Sequence, residues 1–131
     1  MIVVDTSVLM AILNDEEEAP LIQYILTGSL QNVLCAPTKF ELQMVAIARK
    51  GEPGQSMVSD MLAGFRIDTL PWTEGMADIA TTAFLRFGRG SGHPAKLNFG
   101  DCMAYAMAKS LDAPLLFKGN DFSHTDIESA L

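Results

Sequence analysis

The stretch that decides the fold is residues 1–13, MIVVDTSVLMAIL. Ile2, Val3 and Val4 form an unbroken, mostly β-branched run, the pattern of a strand buried on both faces. Asp5 ends that run, and beyond Thr6 and Ser7 the residues Val8, Leu9, Ile12 and Leu13 fall at helical spacing. Strand, acid, helix is the opening of an α/β unit. Asp5 has an ordinary explanation as the cap of the helix that begins at Thr6. It gains a second one if other carboxylates reach the same place.

The rest of the chain repeats the alternation. A helix is expected over about residues 17–28, with Gly28 near its end. NVLCAP (32–37) reads as a short strand stopped by Pro37, and TKFELQMVAIARKG (38–51) as a helix capped by Thr38 and ended by Gly51. PGQSMVSDMLAGF (53–65) suggests a helix, RIDTLPW (66–72) a strand closed by Pro71, and TEGMADIATTAFLRFG (73–88) a helix running into a glycine-rich loop. NFGDCMAYAMAKSL (98–111) is again helical, APLLFKG (113–119) is the last strand, and the tail is a turn followed by a short helix. Short apolar strands alternating with helices predict an α/β fold, a three-layer sandwich around a mostly parallel sheet.

With 131 residues, 49% of them hydrophobic and 19% charged, the chain is one globular domain, residues 1–131, rather than a disordered one. No apolar run approaches the roughly 18–20 residues of a membrane span. The first strand begins at once and carries an acid, which is unlike a signal peptide, so a cytoplasmic protein is expected. Cys35 and Cys102 sit in apolar surroundings without paired spacing and read as buried free thiols.

A net charge of −7 argues against a phosphate-rich partner, but the charge is uneven. Asp15, Glu16, Glu17 and Glu18 cluster in what reads as a solvated loop and helix start. From Leu85 to Phe99 there is no acid at all, while Arg86, Arg89, His93 and Lys96 are all present. Gly88, Gly90 and Gly92 in that loop let a backbone approach closely or move.

Four acids fall where strands give way to helices, the place where parallel sheets bind ligands. Asp5 follows the first strand, Glu41 lies in the first turn of the next long helix, Asp101 begins the GDCMAYAMA helix, and Asp121 follows the last strand. Each has a structural alternative: Asp5 as a cap, Glu41 in a Thr38–Glu41 capping box, Asp101 at a helix dipole, Asp121 in a turn. Apolar neighbours (Phe40, Leu42 and Met44 for Glu41; Phe99, Cys102, Met103, Tyr105 and Met107 for Asp101) suggest burial. Buried carboxylates need partners, and only Lys39 and Lys118 are near in sequence. Convergence of the four would call for a divalent cation. All-oxygen ligation points to Mg²⁺ or Mn²⁺ rather than zinc, and to phosphodiester cleavage by a metal-activated water.

These segments resemble a known family. VVDTSVLMAIL, APTKFELQMV, LNFGDCMAYAMAK and PLLFKGNDFSHTDI look like the PIN-domain ribonucleases, specifically the VapC toxins of bacterial toxin–antitoxin pairs, over essentially the whole chain. The resemblance implies a Mg²⁺- or Mn²⁺-dependent endoribonuclease with an acidic cluster at Asp5, Glu41 and Asp101 and a fourth acid near Asp121. It also implies a homodimer and inhibition by a VapB-like antitoxin whose tail reaches the site. Ser7 falls where the family often has a supporting hydroxyl, though it could equally bond a backbone group in its own helical turn. The chain departs from the family after the last strand: Phe117–Lys118–Gly119 stands where many PIN domains carry Thr-x-Asp or Thr-x-Asn. Asp121 is therefore the choice for the fourth acid, with Asn120 and Asp126 as substitutes or supporting partners; Asp126 could also cap a final short helix.

RNA contacts are assigned to Arg86, Arg89 and Lys96, against the alternative of a solvated loop. Trp72, Phe84, Phe87 and Tyr105 could stack bases but read as core, and His93 has no carboxylate partner in sequence that would make it a base. Most of the eight methionines fall at helical core positions, and residues 17–65 are the expected antitoxin dock. Two rival classes remain: a non-catalytic α/β binding module, and a metal-dependent phosphatase-like or receiver-like domain.

Overall fold

A computed structural model describes residues 1–131. The order is β1 (Ile2–Val4), α1 (Thr6–Leu13), α2 (Ala19–Gly28), β2 (Asn32–Cys35), α3 (Ala36–Lys50), α4 (Glu52–Gly64), β3 (Ile67–Leu70), α5 (Glu74–Phe87), α6 (Phe99–Leu111) and β4 (Leu115–Leu116). All four strands are parallel, in the order β3-β2-β1-β4. The chain winds from β1 outward to β2 and β3, then crosses back through α5 and α6 to lay β4 on the other side of β1. The sheet therefore switches direction at β1, and a crevice opens beyond its carboxyl end.

Burial explains the apolar strands. Val3, Val33 and Leu115 face one core with α5 and α6, where Met76, Phe87, Tyr105 and Met107 are buried. Val4, Leu34 and Leu116 face a second core with α1 to α4, containing Val8, Leu9, Ile22 and Leu42. Consecutive residues of β1 and β4 and the Val33–Leu34 pair of β2 enter opposite layers, so the sheet centre is apolar. Polar residues fall at Asn32 and on the edge strand β3, at Asp68 and Thr69. No helix is long and apolar enough to cross a membrane. Cys35 and Cys102 are free and buried.

The structure corrects three expectations. α3 begins at Ala36 behind Cys35, with Pro37 inside its first turn rather than ending the strand. Proline suits that position, because the first-turn N–H groups have no helical partner. Thr38 is consequently not the cap: it is buried, and its hydroxyl meets Cys35 Sγ at 3.0 Å. The tail forms no helix. Residues 128–130 run along β4 instead, with Leu115 N–H donating to the Glu128 carbonyl (2.9 Å) and Ala130 N–H to the Leu115 carbonyl (2.9 Å). This satisfies the outer edge of a two-residue strand that would otherwise be left unpaired.

Candidate active site

Asp5 is 6% exposed at the end of the central strand. Its backbone N–H donates to the Leu116 carbonyl (3.0 Å), and its Oδ2 accepts the Ser7 N–H (3.1 Å). The side chain thus caps α1 and is fixed beneath the crevice. Burial pushes its pKa up; contacts from Ser7 oppose this and the nearby Glu41 charge adds to it. The Ser7 hydroxyl also accepts the Lys118 N–H (3.0 Å), tying the turn after β4 to the turn after β1. The Lys118 backbone does this wherever its side chain goes.

Asp101 stands in the first turn of α6 in a reciprocal capping box. Its N–H donates to Asn98 Oδ1 (2.9 Å), and its Oδ2 accepts the Asn98 N–H (3.0 Å). Asp101 Oδ1 has no part in the box. Burial raises the Asp101 pKa to about 6, the Asn98 hydrogen bond opposes this, and Asp5 and Asp121 add repulsion that Arg89 partly offsets. Glu41 comes from α3 and lies against α6, so close that a side-chain carbon on Gly100 would stand 2.7 Å from Glu41 Oε2. Burial and the Asp101 charge raise its pKa, and Thr6 opposes them.

Asp101 therefore lies within electrostatic reach of Asp5, Glu41 and Asp121, and Asp5 of Glu41, although the four come from separate segments. Asp121 is exposed and lines a cleft of about 690 Å³ with Arg89, Gly90, Gly92, His93, Pro94 and Lys96. The other expected site residues lie elsewhere or carry less. Asp126 is turned to a different cluster, its Oδ1 accepting the Tyr105 hydroxyl (2.8 Å) and its Oδ2 pairing with Lys109 (3.0 Å) and Arg86 (3.9 Å). Arg86 is thereby occupied and stacks on the Phe87 ring at 4.6 Å. Asn120 is exposed, and only its carbonyl is engaged, by the Ser123 N–H. Of the apolar neighbours expected to bury the acids, Leu42, Cys102, Met103, Tyr105 and Met107 are buried, whereas Phe40, Met44 and Phe99 are exposed. Glu41 is partly buried and lies close against Gly100 of α6.

Neither nearby lysine neutralises the acids. Lys118 is bound by Glu16 and by Glu18 (3.1 Å), so the early acidic run is a clasp rather than a free solvated loop. Lys39 lines a separate cleft of about 600 Å³ along the β3 edge with Arg66 and Asp68. Sequence reasoning missed Thr6, Asn98 and Gly100. The Asn98-x-x-Asp101 spacing is a capping-box signal that could have marked Asn98; nothing local marks the other two.

The donor set fits a hard cation by charge and chemistry: crowded, partly desolvated carboxylates with no matching cations. No three of these groups close around one point as ligands of a full protein cage would.

Fold and site together define a three-layer α/β protein with an acidic crevice at the switch point of a parallel sheet. The PIN domain family model matches residues 2–128, and the chain belongs to that family. It is 40% identical over 129 residues to the VapC ribonuclease Mb0625 of Mycobacterium bovis, covering 98% of this chain and 97% of that one. The ribonuclease VapC28 of Mycobacterium tuberculosis is similar to the same extent. Among solved structures, the fold is similar to Mycobacterium tuberculosis VapC20, a sarcin–ricin loop cleaving toxin (TM-score 0.78, 15% identity, 97% and 96% of the two chains). It is also similar to a chain of VapBC2 from Rickettsia felis bound to a promoter DNA fragment (TM-score 0.76, 15% identity, 98% and 96%).

Proposed function

We propose that this chain is an RNA-cleaving hydrolase, the VapC-type endoribonuclease toxin of a toxin–antitoxin pair, acting in the cytoplasm. The observation that carries the reading is the mutual repulsion that links Asp101 with Asp5, Glu41 and Asp121 beyond the carboxyl ends of the strands, which Arg89 offsets at Asp101. The 40% identity to VapC ribonucleases over nearly the full chain supports the substrate class.

Asp5, Glu41, Asp101 and Asp121 would hold Mg²⁺ or Mn²⁺, with Ser7 supporting Asp5. When bound, such an ion activates water and offsets charge developing on the phosphate. The chain's own part is positioning. The Ser7 N–H fixes Asp5 and the capping box fixes Asp101 with one oxygen still available. Gly100 leaves room for Glu41, and Arg89 and Lys96 attract phosphate from the cleft wall. Placement of Glu41 and Asp101 on helices stands against a receiver-like or phosphatase-like site. A VapB-like antitoxin and a homodimer belong to the same reading. The exposed Phe40, Met44 and Ile47, spaced along one side of α3, offer apolar surface for a partner.

The test is cleavage of total RNA by purified protein in Mg²⁺, in Mn²⁺ and in chelator, with Asp5→Asn and Asp101→Asn beside the parent. Cleavage is expected with either metal and lost in chelator and in both folded variants. Undiminished cleavage by those variants would overturn the proposal.

A further inference from the structure

The loop of residues 88–97 is a built structure. Its ends are laddered: Arg89 N–H donates to the Leu97 carbonyl (3.0 Å), and Leu97 N–H to the Phe87 carbonyl (2.9 Å). Inside it, the Ser91 hydroxyl donates to the Gly88 carbonyl (2.6 Å) and accepts the His93 N–H (3.2 Å). Ala95 and Leu97 are buried in the α5–α6 core. Between them, Lys96 takes a left-handed backbone, φ +50°, unfavourable for a residue with a side chain.

His93 is fixed as well. Its Nδ1 accepts the Ala95 N–H (3.1 Å), so the ring proton resides on Nε2, and the ring stands edge-on to Phe87 (81°, 4.9 Å between centroids). Arg89, His93 and Lys96 share the cleft with Asp121, and no hydrophobic residue lines it. Such a wall has donors for phosphate, and the stacking surface it offers, the His93 ring and the Arg89 plane, does not distinguish one base from another. The volume, about 690 Å³, is that of a drug-sized ligand, roughly one or two nucleotides rather than a duplex.

Resting on the function proposed above, we infer that residues 88–97 form a rigid clamp for the sugar–phosphate backbone of a single RNA strand. In it, Arg89, Lys96 and the Nε2–H of His93 hold phosphates beside the one that is cut. The clamp is indifferent to base sequence, so any choice of cleavage site arises elsewhere. Lys96, held in a left-handed backbone conformation, stands on the cleft wall.

The experiment measures binding of end-labelled oligo(U) and oligo(A) by fluorescence anisotropy in chelator, so that it does not depend on metal or on cleavage. Arg89→Gln with Lys96→Gly is expected to weaken both RNAs about tenfold or more, and to reduce the slope of log K against log salt by about 0.7 for each cation lost. Lys96→Gly alone relieves the left-handed strain, so its melting temperature should not fall. His93→Asn retains an acceptor for Ala95 N–H without a donor at the Nε2 position, and should weaken binding several-fold at an unchanged melting temperature. Arg49→Gln with Lys50→Gln, at the far end of α3, is the control and should bind like the parent. Parental binding by the folded Arg89/Lys96 variant would overturn the clamp, as would an equal loss in the control or weakening confined to one base sequence. If binding falls as expected but no metal supports cleavage, the nuclease reading fails and the clamp stands; if cleavage proceeds with an unchanged KM in that variant, the clamp fails and the nuclease stands.

Discussion

Replacing Gly100 by alanine probes the site through a contact rather than through a ligand. A Cβ at position 100 would stand 2.7 Å from Glu41 Oε2 and 3.2 Å from Oε1, whereas ordinary contact begins at 3.4 Å. The nearer oxygen must therefore retreat by the difference between 3.4 and 2.7 Å, about 0.7 Å. The obstacle is the end of a flexible side chain, so the carboxylate yields and the backbone does not. Alanine is also the better helix residue and restricts the unfolded chain, effects worth about 0.4–1 kcal/mol. Gly100→Ala should thus melt at or slightly above the parent temperature. Catalysis should report the retreat, since a misplacement of about 1 Å costs about 10²-fold in rate. A shift of about 0.7 Å predicts a fall in kcat of about tenfold or more, with RNA affinity in chelator unchanged. The assays are a thermal melt, single-turnover cleavage of a labelled RNA and anisotropy. Full-rate cleavage by the folded variant would mean that the position of Glu41 is not used. Loss of the fold would mean that Glu41 cannot move aside as the geometry requires.

Gly54→Ala is the counterpart, because the atom in the way there is the Ala46 carbonyl oxygen of α3, 2.3 Å from the added carbon. Backbone must shift, so a loss of about 2–3 kcal/mol or more in urea unfolding is expected. An unchanged midpoint would refute the close α3–α4 packing. Tyr105→Phe removes the hydroxyl that donates to Asp126 and should cost about 1 kcal/mol with cleavage unaffected; a loss of cleavage would return Asp126 to the site. Asp101 carries a pH signature. With its pKa raised from 3.8 to about 6, the folded chain holds a proton that the unfolded chain has released between those values. Its contribution to stability therefore falls as pH rises through that window. In chelator, Asp101→Asn should gain stability relative to the parent from about pH 4 to about pH 6, by about 1–2 kcal/mol once solvent screening of this half-buried group is counted. A gain in the opposite direction would contradict the burial of this carboxylate.

Much of this protein is local and was legible. β1, Asp5 and α1 follow from residues within one turn of each other, and α1 begins at Thr6 as its apolar spacing predicts. The misread boundaries were those where one residue serves two purposes. Pro37 is as suitable for starting a helix as for ending a strand, and Thr38 matches a capping box while its hydroxyl is engaged by Cys35. The final helix failed for a non-local reason, because the N–H and carbonyl of Leu115 required partners that the tail could supply. At the site, the acids were visible as residue types at strand–helix junctions, but their spacing was not. Glu41 reaches Asp101 only because α3 packs on α6 at a glycine, and Asp126 leaves for Tyr105, Lys109 and Arg86 because those side chains converge in space, not in sequence.

The charge balance shows why a global count misleads here. A net charge of −7 seen from a distance repels phosphate, yet beyond about a Debye length, roughly 8–10 Å in ordinary salt, that repulsion is screened. What a strand meets at the crevice is local: Arg89 and Lys96 on one wall, uncompensated carboxylates on the floor. Glu16 and Glu18 engage the Lys118 side chain, while its backbone N–H braces Ser7. Glu16 and Glu18, far from the cleft in sequence, therefore occupy the Lys118 ammonium at the turn after β4, and Lys96 is the lysine that shares the cleft with Asp121.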